Sequence, residues 1–348
     1  MNNKKIHIEI CRIIAALFVS FQHSVFRGAT LYTYYTPYEL RTYIYMLIKI
    51  ISVTSVPLFF MISGANLLGK DETIKKQIER FIKIALVLIV FEIAYFCENV
   101  LVYGDGEFTI KHFLINFYTS EKNAFHLWYL CAYLCFLMIL PFIKMMARSL
   151  DNKHFLYLCV LALFFNGAIP LVESLVFKGK ITLYSQFIPT SLLSNIILWP
   201  IIGYKIENIE VKRVDYLRLF VGTIVCWNIM ILSELYLWRR NGGCIGEFSS
   251  WFLILSAPFI YLTIKKICGK INMSTTIKKI IVAIGSTTFG TYLIHIRMMH
   301  KMWNNYDYVY QVIQEPMLAC ILWLISVQAV SVIIILVLRK IKFVRYFI

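Results

Sequence analysis

The sequence predicts an all-α fold, a polytopic transmembrane bundle of about ten helices with both termini cytoplasmic. Three observations lead there. The 348 residues are 59% hydrophobic and only 16% charged, with a mean hydropathy of +0.70, too little charge to coat a water-soluble surface. Apolar runs of about 20 residues, the length that crosses a hydrocarbon core, recur along the whole chain. The basic residues gather in short spacers that alternate between rich and poor, as the positive-inside rule describes.

Taken in order, the crossing segments are expected near 8–26, 44–68, 81–103, 125–147, 155–172, 185–203, 216–238, 248–267, 279–300 and 318–338. The first follows Lys4 and Lys5 as a signal peptide would. It carries Arg12 and His23 and lacks a small-residue cleavage pattern, so an uncleaved helix is expected. The second ends VPLFFMISGANLL, where Pro57 and the Ser63–Gly64 pair break or thin a helix and let another backbone or a ligand approach. The longest spacer, 104–124, has room for an amphipathic surface helix. No soluble domain, low-complexity tract or Pro/Gly linker interrupts the series, so residues 1–348 read as one integral-membrane domain. Nor is there an internal repeat of the kind that marks inverted-repeat transporters.

Orientation follows from the basic residues. One face receives the N-terminus, Lys70, Lys75, Lys76 and Arg80, then Lys144, Arg148 and Lys153. Lys205, Lys212 and Arg213, the run from Lys265 to Lys279, and the tail from Arg339 to Arg345 fall there too. That face holds about 23 basic residues against about 10 on the other. Cytoplasmic termini require an even number of crossings, and ten satisfies this.

The formal charge of +16 is absorbed by this bias, and no basic patch on a soluble module points to nucleic acid. The nine cysteines are scattered, several inside apolar runs, without CxxC or Cys/His spacing. They read as small packing residues, and no metal is expected.

Ionisable residues inside crossing segments are costly and mark candidate sites. Arg12 and His23, eleven residues apart, are close to three helical turns apart and lie on one face, about 16 Å apart along the axis. The plain alternative is an arginine snorkelling to headgroups and a histidine bonded within the bundle. The functional reading has Arg12 holding an anion from the cytosol and His23 performing acid–base work deeper in. His126 opens the fourth segment in FHLWYL, and His295 lies in the outward half of the ninth in FGTYLIH. Both are expected nearer the external face, where they can meet His23. Trp128–Tyr129 also suits an aromatic belt. Glu92, Glu98 and Glu234 fall within segments, but spacing singles out none of them. Glu9, one turn before Arg12, is expected as its ion-pair partner. The loop KDETIKKQIER offers Arg80 for phosphate binding, although positive-inside bias also accounts for it.

These segments, in order, resemble the acyltransferase-3 family of membrane acyltransferases, which includes bacterial surface-polysaccharide O-acetyltransferases. The likeness rests on IEICRIIAALFVSFQHS, with Arg12 ten positions clear of His23; on VPLFFMISGANLL, with Phe59, Phe60, Ser63 and Gly64; on HLWYLCAYLCFLMILPFI, ending at Pro141; and on FGTYLIH, with Gly290, Tyr292 and His295. The first-helix acid, commonly Asp, is here Glu9, and Asn66 stands where a large apolar residue is usual. A proline often found after the basic loop is missing, which weakens the case for Arg80. No hydrolase-like domain follows, so the chain resembles the single-module branch.

The resemblance implies about ten helices in an inner or plasma membrane, and an acyl-CoA donor, commonly acetyl-CoA, used from the cytosol. It also implies a glycan or lipid-linked sugar acceptor and an essential His23. Arg12 is then expected to steady the donor, with Arg80 a second candidate. His23 deprotonates the acceptor hydroxyl or briefly carries the acyl group, while His126, His295 and Ser63 bind the acceptor side. The alternative function is an exporter or flippase of a polysaccharide or lipid-linked sugar.

Overall fold

The computed structural model describes residues 5–119, 124–177, 181–244 and 246–347. Lys4 and residues 120–123 of the longest spacer lie outside the described residues. The described residues form helices and connecting turns, with no strand among them. In chain order the helices are α1 (Ile6–Gln22), α2 (Leu40–Val53), α3 (Ser55–Leu67), α4 (Ile74–Tyr103), α5 (Ile110–Thr119), α6 (Trp128–Ser149), α7 (Asn152–Leu163) and α8 (Ile169–Phe177). There follow α9 (Asn195–Asn208), α10 (Arg213–Asn241), α11 (Leu253–Lys270), α12 (Thr275–Lys301), α13 (Trp303–Ile313), α14 (Pro316–Leu338) and α15 (Lys342–Phe347).

Among the described residues, seven helical stretches are long and apolar enough to cross a membrane: α2–α3 together, α4, α6 with its first turn, α7–α8 together, α10, α12 and α14. The other three expected segments hold α1, α9 and α11. At 17 and 14 residues, α1 and α9 are shorter than the roughly 20 of a full crossing.

Local chemistry explains where helices end. The expected segment 44–68 breaks at Thr54. The Ser52 and Thr54 hydroxyls there bond back to the carbonyls of Lys49 (2.8 Å) and Ile51 (2.6 Å), competing with the helical ladder. Pro57 consequently sits in the first turn of α3, where its missing N–H costs nothing. A π-helical turn at Phe164–Ala168 joins α7 to α8, just before Pro170, which has no N–H to continue an α-helical ladder. In the expected segment 185–203, regular helix begins only at Asn195. Starts are capped by Thr73, Asp151 and Ser274, whose side chains accept from Lys76, His154 and Ile277 N–H groups. Gly104 and Gly242, at φ +68° and +72°, close α4 and α10 in the left-handed conformation that glycine adopts freely.

The short α1 sits centrally, packed against α2, α3, α11, α12 and α14. Beside it α3 and α9 meet backbone to backbone. A Cβ on Gly64 would lie 1.9 Å from the Pro200 carbonyl oxygen, and one on Gly203 would lie 2.0 Å from that of Met61. Only glycine permits this approach. Past α1, Arg27 is buried against α13: it donates to the Trp303 carbonyl (2.9 Å) and Asp307 (3.0 Å), and its guanidinium lies 3.6 Å from the Trp303 ring centroid. This clamp ties the turn after α1 to α13.

Candidate active site

Between α1, α3, α6 and α12 lies a cavity of about 1030 Å³. Its wall includes Lys5, Arg12, Gln22 and His23 of the first helical segment, Ser63, Gly69 and Lys70 from α3 and the loop after it, His126 and Trp128 at the start of α6, and Ser286 of α12. Tyr129, Tyr133 and Tyr292 supply aromatic wall. Arg12 and His23 thus face one space, as their helical spacing requires. His23 is the residue that ends α1, its N–H still bonded to the Val19 carbonyl at 3.2 Å.

Arg12 is set by Glu9. One guanidinium nitrogen, Nη1, donates to both carboxylate oxygens (3.0 and 2.9 Å). No described residue hydrogen-bonds Nε or Nη2. Those N–H groups remain for an anion in the cavity. Glu9 is 4% exposed and nests against Gly285 of α12, where a Cβ would come within 2.3 Å of its Oε2. A glycine on one helix therefore fixes an ion pair on another.

Three histidines gather at the other end. The His23 and His295 ring centroids are 5.3 Å apart, as are those of His126 and His295. His295 receives its tautomer from the Tyr292 carbonyl, 2.6 Å from Nδ1. That leaves Nε2 as the acceptor, buried and without a hydrogen-bond partner among the described residues. Neither ring nitrogen of His126 makes a hydrogen bond of good geometry among the described residues, although the Leu293 carbonyl lies beside the ring. The Leu293 carbonyl beside His126 is taken by the Tyr95 hydroxyl at 2.7 Å, and the His126 carbonyl accepts from Tyr292 (2.5 Å). Buried polar nitrogens without partners are costly. The His126 ring stands on the wall of the main cavity, and the His295 nitrogen opens on a smaller space beside it.

His295 does not line the main cavity. It faces an adjoining pocket of about 10 Å³ shared with Ser20, Tyr292 and Gln328, room for about one water. Ser63 lines the main cavity; its hydroxyl donates to the Phe59 carbonyl (2.9 Å) and lies within hydrogen-bonding reach of the Tyr129 and Tyr133 hydroxyls. Arg80 is not on the cavity wall. Its guanidinium is held by Glu72 at 2.9 and 3.1 Å. Burial disfavours ionised Glu72, but the hydrogen bonds from Arg80 and the charges of Arg80, Lys144 and Lys76 hold its carboxyl below the ordinary range. Glu92, buried on α4, does not line the cavity. Glu98 pairs with Arg297 (3.0 Å), and Glu234 accepts from the Gly246 N–H (3.0 Å), so these acids serve other contacts.

Sequence reasoning passed over Lys5, Lys70 and Gln22 as wall residues. Tyr129 it read as interfacial. A usable signal was the Tyr129–Tyr133 spacing, which stacks the two rings on one helix face at 6.1 Å.

The fold and site define a class: a multi-pass helical membrane protein enclosing a cavity with a guanidinium at one level and an imidazole cluster at another. The sequence profile of the acyltransferase-3 family, described as an acyltransferase domain, matches residues 6–339. The chain belongs to that family and is a membrane acyltransferase. No curated protein and no solved structure matches it.

Proposed function

We propose that the protein moves an acyl group, acetyl foremost, from cytosolic acyl-CoA to a hydroxyl of a cell-surface or lipid-linked glycan. The observation that carries this reading is the single cavity with Arg12 and His23 on its wall about 16 Å apart along α1, a separation that suits an extended pantetheine arm. Arg12, its Nη1 already on Glu9, offers Nε and Nη2 to the donor's phosphates. His23 takes the proton of the acceptor hydroxyl as the oxygen attacks the thioester carbon. The C–O bond forms, the C–S bond breaks, and the proton passes from His23 to the departing thiolate. His126 offers a ring nitrogen to the acceptor from the cavity wall, His295 reaches it through a water in the adjoining pocket, and Ser63 bounds the acceptor on the same wall.

In this reading the chain is one membrane module of about ten crossings in a bacterial inner or plasma membrane, its termini cytosolic. The membrane then separates donor from acceptor, and the cavity joins them. Mass spectrometry of surface glycans from cells with and without the protein tests the reading, because an acyl mass difference identifies group and acceptor together. A His23→Ala variant that accumulates normally should lose transfer, and full retention would sink the assignment of His23. Loss of glycan export with no acyl difference would favour an exporter instead.

A further inference from the structure

The ionised residues on the cavity wall are Lys5, Glu9, Arg12 and Lys70. Among the described residues its one acid, Glu9, is already bound to Arg12. Lys5 pairs with Glu207, and Gly69, next to Lys70, lies against Tyr204 one turn earlier on α9. Both lysines therefore belong to the end of the cavity beside the last turns of α9, and that end is electropositive. Lys5 and Arg12 are seven residues apart on α1, about 10 Å along the axis, with Lys5 on the side away from His23.

Lys70 stands in a loop whose other polar groups are spoken for. Arg148 Nε donates to the Leu68 carbonyl (3.0 Å), and its Nη1 pairs with Asp71 (2.7 Å). Lys144 donates to the carbonyl of Lys70 itself (3.0 Å), and Arg80 holds Glu72. The loop's two acids are thereby neutralised by other cations. The Lys70 ammonium has no ion-pair partner among the described residues.

Lys5 is differently placed but equally available. Its side chain, 54% exposed, pairs with Glu207 at 2.6 Å. Glu207, 3% exposed, also receives His7 (3.0 Å), Tyr261 (2.9 Å) and Lys265 (3.4 Å). Its carboxylate stays satisfied when Lys5 turns away, so exchanging Glu207 for another anion leaves no buried charge unpaired.

We propose that Lys5 and Lys70 form a phosphate-binding pair at the mouth of the cavity and read the ribose 3′-phosphate of the donor nucleotide. The proposal rests on the acyl-CoA reading and adds to it a second anion site, one step outward from Arg12. With the pyrophosphate at Arg12 and the pantetheine arm toward His23, the remaining phosphate falls at the level of the two lysines. Two flexible ammonium groups suit a terminal phosphate, which they meet as point charges.

The test uses the full chain in nanodiscs of zwitterionic lipid, with coenzyme A, dephospho-coenzyme A (which lacks the 3′-phosphate) and pantetheine as binding probes. The wild type is expected to bind coenzyme A about tenfold more tightly than dephospho-coenzyme A, and added salt should erode that ratio. K5A/K70A is expected to bind both equally, at the wild-type affinity for dephospho-coenzyme A, while K5R/K70R restores the preference. Pantetheine binding should not change. If K5A/K70A still discriminates between the two nucleotides, the lysine site is wrong. A difference between wild type and variant only in discs with anionic lipid would mean that the pair reads lipid headgroups, which also overturns it. Should the wild type bind no coenzyme A at all, the donor reading fails, a result distinct from failure of the lysine site.

Discussion

Replacing Gly285 by alanine perturbs the proposed donor site from a helix that carries none of its charged groups. The new methyl would sit 2.3 Å from Glu9 Oε2, 3.0 Å from its Cβ and 3.2 Å from its Cδ. Ordinary C···O separation is about 3.3 Å or more, so the carboxylate must retreat by about 1 Å. Arg12 Nη1 now reaches both oxygens at 3.0 and 2.9 Å. A retreat on that scale breaks at least one of these bonds and turns the guanidinium. Hydrogen bonds between charged groups contribute about 1.5–3 kcal/mol, whereas Gly→Ala inside a helix returns up to about 1 kcal/mol. A net loss of about 1–2 kcal/mol in stability is therefore expected. Misplacing a positioning group by about 1 Å can cost on the order of 100-fold in turnover. The assays are the thermal midpoint of the purified protein and transfer of labelled acetyl from acetyl-CoA into native membranes. Propensity alone gives the opposite sign, so a Gly285→Ala protein as stable and as active as wild type would refute the coupling. A Glu9→Ala background should abolish most of the effect, because the carboxylate clash at 2.3 Å is gone and only the Cβ contact at 3.0 Å remains.

Other expectations follow from the packing and the loops. Gly64→Ala and Gly203→Ala each place a methyl about 2 Å from a facing carbonyl. Separating α3 from α9 should cost about 1–3 kcal/mol, read as a lowered thermal midpoint. Unchanged melting would mean that the helices do not meet as described. Arg27→Lys keeps the charge but loses the stacked guanidinium on Trp303 and the two-direction hydrogen bonding. It should destabilise by about 2 kcal/mol, and equal stability would show that charge alone matters. For pH, the Glu72 carboxyl is held below its unfolded value. Its contribution is fully present above about pH 4.3 and is lost as pH falls through the lower folded value. Thermal stability should show an acid-side fall that Glu72→Gln lessens, and an identical acid limb in the variant would remove Glu72 from the account.

Much was legible in the sequence because it depends on local pattern. Membrane location follows from composition, and the approximate place of the long apolar helices from the length of apolar runs, whereas the short α13 and α15 had no such signal. The shared face of Arg12 and His23 follows from eleven-residue spacing, and the Glu9–Arg12 pair from a three-residue one. Helix ends were less legible. Pro57 was a visible break signal, but hydroxyl back-bonding at Ser52 and Thr54 sets the interruption three residues earlier. The Ser63–Gly64 pair advertised a close approach without naming α9 as its partner.

By itself, then, the sequence determined an α-helical membrane protein with a polar line along its first helix. Tertiary structure decided which distant residues join that line. His126 and His295 come from α6's first turn and α12, and only the packing of those helices on α1 brings their rings within 5.3 Å. The same packing turned His295 toward a small side pocket, kept Arg80 on Glu72, and put Lys5 and Lys70 on the wall of one cavity. The physical reason is range. Helical periodicity is a property of neighbours in the chain, whereas a cavity is the space left when nonadjacent surfaces meet, and no spacing within one segment encodes that.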